Sequence, residues 1–156
     1  MYTAITLNGN TDVYLHDQPL YRCVTSKVFF KDKFYIEDVN NIKVLELDIK
    51  HFIGFNKRFL IKNQNLNKKI ELYKMNKKLN LRIDGKTILL NKKIRAWKFE
   101  GDFIVNDKIL GSFNNRLKPF KSSFTFDFET ESEINLYCIV LFSIFVVDEF
   151  NTRPPS

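Results

Sequence analysis

Apolar and polar residues alternate along most of this chain, in short runs bounded by Asn, Asp and Gly. Period-two alternation marks a strand with one face on a core and the other in water. The spacing predicts strands over residues 2–7, 13–16, 20–25, 34–37, 43–49, 59–62, 70–73, 79–83, 87–90, 94–99, 103–105, 109–113 and 124–128. In the fifth of these, Leu45, Leu47 and Ile49 fall on one side and Val44, Glu46 and Asp48 on the other. Turn chemistry separates the runs: Asn8-Gly9-Asn10, Asp17-Gln18-Pro19, Val39-Asn40-Asn41 and Asn106-Asp107. Asp84-Gly85 is the two-residue hairpin signal whose positive φ angles suit a type I′ turn.

The alternation stops near the C-terminus. Residues 134–147 carry no charge, and Thr130 with Glu133 ahead of them has the spacing of a helix capping box. Asp148-Glu149 closes the run, an unfavourable sign for the C-terminal end of a helix dipole. A helix apolar on every side is buried on every side. Fourteen residues make roughly 21 Å of helix, against the ~30 Å hydrocarbon core of a bilayer. The expectation is a core helix over 132–149; length weighs against the two alternatives, a buried strand and a membrane-inserted segment.

A repeat underlies the strands. Phe30-Lys31-Asp32-Lys33-Phe34-Tyr35-Ile36 has counterparts that begin at Phe55, Met75, Phe99 and Phe120, with a weaker copy from Leu7. Six such turns, each followed by a hairpin turn half a period later, imply about twelve strands in an antiparallel meander. A sheet of that length has two exposed edges unless it closes, and a closed barrel of that width needs more than its own side chains to fill it. The uncharged helix supplies the filling. The predicted fold is mainly β: a closed antiparallel barrel of about twelve strands around a buried hydrophobic C-terminal helix, one domain over 1–150, with 151–156 as a short tail.

With its Phe34-Tyr35-Ile36-Glu37-Asp38 strand, its Trp97-Lys98-Phe99-Glu100-Gly101-Asp102-Phe103 stretch and its closing helix, the chain resembles the tubby C-terminal-like superfamily. It is most similar to the small bacterial members, beside the LURP-one-related proteins and phospholipid scramblases. The resemblance implies a twelve-stranded barrel around a hydrophobic helix and a binding role at membranes, since tubby-like domains bind phosphoinositide head groups through a basic surface. It transfers no binding residue, because no motif here aligns with the tubby site. Neither the Cys-rich segment nor an acidic calcium loop of scramblases is present.

Charge adds an independent expectation. From Lys57 to Lys98 there are fourteen Lys and Arg against two acids, Glu71 and Asp84, whereas the remainder holds eleven bases and sixteen acids. The candidate anion-binding residues are therefore Lys57, Arg58, Lys68, Lys69, Lys77, Lys78, Lys92, Lys93 and Arg95. A basic face beside aromatics suits an anionic phospholipid or membrane surface at about 1 kcal/mol per cation. An acidic protein partner, as for an immunity-type module, is the alternative; simple solubilisation by lysine follows, and nucleic acid ranks last.

Catalytic chemistry finds little support. His16 and His51 stand apart from any Cys and from each other, and no phosphate-cradling glycine loop, nucleophile elbow or His-Glu-x-x-His is present. The acids Glu37, Asp38, Asp127, Glu129 and Glu131 fall at expected turns or the helix cap, and Asp102 reads as part of a Glu-Gly-Asp turn. Cys23 and Cys138 lack metal-ligand spacing and read as buried thiols. The expectation is a non-enzymatic binding module without a cofactor or metal. The N-terminal residues show no signal-peptide pattern, which predicts a cytoplasmic protein, with peripheral attachment at the inner face of the membrane as its extension.

Overall fold

The computed structural model describes residues 1–28, 31–51, 57–95, 98–116 and 121–151. Trp97, the repeat-opening Phe30, Phe55 and Phe120, and the tail 152–156 lie outside them. Twelve strands precede one helix: β1 (Tyr2–Leu7), β2 (Asn10–Leu15), β3 (Gln18–Val28), β4 (Lys31–Asp38), β5 (Lys43–His51), β6 (Lys57–Gln64), β7 (Glu71–Met75), β8 (Lys78–Ile83), β9 (Lys86–Arg95), β10 (Lys98–Val105), β11 (Lys108–Arg116), β12 (Lys121–Phe128) and α1 (Ile134–Asn151). Consecutive strands pair antiparallel, and β1 pairs with β12, so the meander curls back on itself into a nearly closed barrel. Among the described residues the ladder is interrupted only between β6 and β7.

Two-residue turns set the register of five hairpins. Asn8-Gly9 has φ of 52° and 82°, His16-Asp17 48° and 63°, Asn76-Lys77 52° and 63°, Asp84-Gly85 48° and 70°, and Asn106-Asp107 48° and 65°. Both residues are left-handed in each, as a type I′ turn requires, and that hand matches the twist of the flanking strands. Alternation then sends one side of every strand inward. Leu45, Leu47 and Ile49 are buried, as are Phe99 and Phe103 of β10, Phe113 of β11, and Phe124 and Phe126 of β12.

The helix fills the lumen. The Phe142 ring lies 4.9 Å from Phe113, 4.8 Å from Phe124 and 4.9 Å from Phe126 on one side. On another side, Ser143 meets Tyr21 of β3, oxygen to oxygen, at 3.5 Å. Ser143 is, with Asn135, a buried polar residue of this helix, and its Oγ donates to the Ile139 carbonyl at 2.8 Å. Among the described residues no helix is long and apolar enough to cross a membrane.

Three local expectations are corrected. The helix spans Ile134–Asn151, not 132–149, and Thr130 does not cap it. Ser132 takes that place, its Oγ accepting from the Ile134 N–H at 3.4 Å, while Glu133 turns outward to Lys68 at 3.0 Å. Nor do Asp148 and Glu149 end the helix, since an unfavourable dipole contact is worth only about 0.3–1 kcal/mol. The strand expected over 94–99 is divided: residues 94 and 95 end β9, residues 98 and 99 open β10, and 96–97 lie outside the described residues. Finally, Glu100-Gly101-Asp102 is no turn but the middle of β10. A Cβ at Gly101 would fall on the Asn91 carbonyl and within 2.6 Å of the Phe113 ring, so the glycine serves close packing.

Candidate functional site

Meander topology gives the barrel two unlike rims. One carries the β1–β2, β3–β4, β5–β6, β7–β8, β9–β10 and β11–β12 connections; the other carries the alternate connections and the start of α1. At the first rim five of the six strands that begin there begin with lysine, namely Lys31, Lys57, Lys78, Lys98 and Lys121, and Arg95 and Arg116 end β9 and β11. None of the strand-terminal residues at this rim is acidic. The second rim mixes Asp17, Asp38, Asp84, Asp107, Glu131 and Glu133 with Lys43, Lys68, Lys69, Lys86 and Lys108. The helix runs from the mixed rim to the basic one, where its negative dipole end and the backbone of Asp148 and Glu149 stand.

The nine residues expected to form one basic face are not brought together. Lys57, Arg58, Lys77, Lys78, Lys92 and the backbone of Arg95 lie at the basic rim. Lys93 is nearby but turned to the outside, where its Nζ is 3.2 Å from Asp102. Lys68 and Lys69 sit in the β6–β7 connection at the opposite rim. Lys68 is engaged there: its Nζ is 2.7 Å from Asp84 and 3.0 Å from Glu133. Hydrogen bonds to Asp84, then to Glu133, hold its ammonium pKa above the ordinary lysine value. Its backbone N–H donates to the Tyr137 hydroxyl at 3.0 Å. Lys68 thus ties the connection to α1. Adjacent hairpin turns send neighbouring lysine clusters to opposite ends, and a linear count of charge cannot register that.

At the basic rim, β7 to β9 and α1 leave a recess of about 260 Å³. Leu79, Leu90, Leu141 and Phe145 form its floor, and Lys74, Lys77, Lys78 and Lys92 its edge. Sequence reasoning passed over Lys74, although its parity with Leu72 places it on the lumen side of β7. Its Nζ lies 5.4 Å from the centroid of Phe59 across the β6–β7 gap, and that of Lys92 lies 5.2 Å from the centroid of Phe145. Lys31, Lys98 and Lys121 were also missed; their signal is a lysine directly after an aromatic residue, Phe30, Trp97 and Phe120 in turn.

Other titratable pairs are structural in form. His51 Nε2 and Asp32 Oδ2 are 2.9 Å apart on the lumen side, a pairing that nineteen residues of separation conceal in the sequence. Asp48, buried on the outer face, is held by Lys31 at 2.7 Å. Burial pushes the thiols of Cys23 and Cys138 up to about 12, so both are neutral near pH 7. Among the described residues no group of three His, Cys, Asp or Glu is placed to hold a metal ion.

Comparison with protein-family models, curated proteins and solved structures finds no match to this chain. The functional reading therefore rests on the barrel, its rims and its recess.

Proposed function

We propose that this protein is a non-enzymatic binding module that docks its basic rim on an anionic phospholipid surface. The single observation that carries the reading is the axial asymmetry of charge: lysine opens five of the six strands at one rim, where no strand-terminal residue is acidic, whereas the other rim mixes acids with lysines. Lysines concentrated at one end of a barrel match a plane of phosphates, each free cation contributing about 1 kcal/mol near the surface. The proposal includes membership of the tubby C-terminal-like superfamily, supported by the twelve-stranded meander and the helix placed last in the chain. Fold alone would not carry the function.

Vesicle sedimentation tests the reading with phosphatidylcholine alone and with added phosphatidylserine, at low and physiological salt. Binding is expected only to the anionic vesicles and to weaken with salt. Charge reversal at Lys78, Lys98 and Lys121 should lower it about a hundredfold, whereas reversal at Lys69, Lys86 and Lys108 on the other rim should leave it nearly unchanged. Equal effects of the two triple variants would refute rim-specific docking. No vesicle binding at all would transfer the basic rim to an acidic protein partner.

A further inference from the structure

At the mixed rim, where β12 leads into α1, the start of β1, strands β11 and β12 and the first turn of the helix border a cavity of about 490 Å³. Tyr2, Phe126 and Phe128 supply its apolar surface, and Asp127, Glu131 and Asn135 its polar one. The rings of Tyr2 and Phe128 meet edge to face, with centroids 6.0 Å apart and planes at 82°. Among the described residues that line the cavity there are two carboxylates and neither lysine nor arginine.

Asn135, in the first turn of α1, is 1% exposed. Its Nδ2 donates to the Thr130 carbonyl at 2.9 Å, which fixes the oxygen end of the amide, since the flipped side chain would set two acceptors together. The Oδ1 that remains has no hydrogen-bond partner. A buried acceptor without a donor is unfavourable, and a ligand that brings an N–H or O–H relieves it. A helix N-terminus ordinarily favours an anion, but its donors are taken here. The Ile134 N–H goes to Ser132 Oγ at 3.4 Å, the Asn135 N–H to the Ser132 carbonyl at 3.0 Å and the Leu136 N–H to the Glu133 carbonyl at 3.2 Å. Met1 also borders the cavity, with its amino group 2.9 Å from His16 Nδ1; the other ring nitrogen of His16 lies 3.7 Å from Glu131. What this place offers a ligand is acceptors and negative charge.

We propose that this cavity binds a small primary amine with an apolar body. The ammonium donates to Asn135 Oδ1 and is drawn by the charges of Asp127 and Glu131, and the body lies on Tyr2, Phe126 and Phe128. The volume falls within the roughly 300–1,000 Å³ of small-molecule sites. Aromatic faces attract a cation as well as an apolar body, so the wall and the carboxylates select together. A quaternary ammonium brings charge without a donor, and an alcohol brings a donor without charge, so neither satisfies both. A metal ion is poorly served, because among the described residues no group of three His, Cys, Asp or Glu is placed to hold one. The cavity lies at the rim away from the one read as lipid-facing, so the inference does not depend on that reading.

The test is calorimetry and amide NMR on the full chain at pH 7 with phenethylamine, beside 2-phenylethanol and phenyltrimethylammonium as single-feature probes. Saturation by one phenethylamine per chain below about 1 mM is expected, and each comparator should bind at least about tenfold more weakly. The amide shifts that move should be those of Tyr2, Asp127, Glu131 and Asn135. Asn135→Leu, which keeps the bulk and removes the acceptor, should weaken phenethylamine about thirtyfold. Asp127→Asn with Glu131→Gln, at exposed positions, should weaken it about tenfold and leave 2-phenylethanol unchanged. If the Asn135 variant does not fold, the double carboxylate variant still decides the matter. A missing phenethylamine complex, equal binding of either comparator, shifts confined to the basic rim, or binding indifferent to the variants overturns the proposal.

Discussion

Lys77 occupies a position that backbone geometry would assign to glycine. Its φ of 63° is left-handed, in the second place of a type I′ turn where Gly9 and Gly85 stand in two sister hairpins. A side chain there costs about 1 kcal/mol relative to glycine. Lys77→Gly is therefore expected to raise stability by about 0.5–1 kcal/mol in urea unfolding and to weaken vesicle binding; an unchanged midpoint would contradict the strain account. Gly101 shows the opposite case, a glycine required by its neighbours and not by its φ. Reading it as a turn was reasonable from Glu-Gly-Asp alone, because composition cannot separate a glycine that bends a chain from one that admits a ring.

At the scale of elements, the helix and the seam carry most of the argument. Over residues 134–147 α1 is uncharged because strands surround it, so no face there is available for a charge. Val140 is buried, and Val140→Asp is expected to give no cooperative soluble monomer, since an unpaired carboxylate in that lumen costs several kcal/mol. Val140→Thr should fold with a loss of about 1–2 kcal/mol, because a hydroxyl can return to the carbonyl four residues earlier as Ser143 does. A folded Asp variant would sink the filled-barrel description. The seam explains why the barrel is nearly closed: the Gln64 side chain accepts from the Ile70 N–H at 2.8 Å and donates to the Ile70 carbonyl at 3.2 Å. One amide thus imitates a ladder step at the mixed rim. At the basic rim the gap is crossed by Lys74 over Phe59, and there the recess opens.

For the molecule as a whole, the buried acids of the core set an alkaline limit. Burial raises Cys23 and Cys138 to about 12 from 9.0, and raises Tyr21 well above 10.0. The folded state thus keeps protons that the unfolded chain releases, so stability is full below about pH 9 and falls as pH rises toward 12. Near pH 10.5 each thiol should remove about 2 kcal/mol. The urea midpoint is expected to fall between pH 8 and pH 10.5, and Cys23→Ala should flatten that fall; a flat profile in the parent protein would show that these groups are not sealed from water.

The sequence by itself determined the strands, their turns, the helix and hence the barrel, because alternation, left-handed turn pairs and an uncharged run are local signals, each readable within a few residues. The tertiary structure alone decided how charge is distributed. Each hairpin reverses the chain, so Lys68-Lys69 and Lys77-Lys78, nine residues apart, end at opposite rims, the first partly taken up by Asp84 and Glu133 and the second open at the recess. The Asp32–His51 pair was invisible beforehand because it depends on the register of the β4–β5 hairpin, which shifts between Ile36 and Glu37, and the interrupted ladder because barrel closure alone decides how far β6 and β7 stand apart.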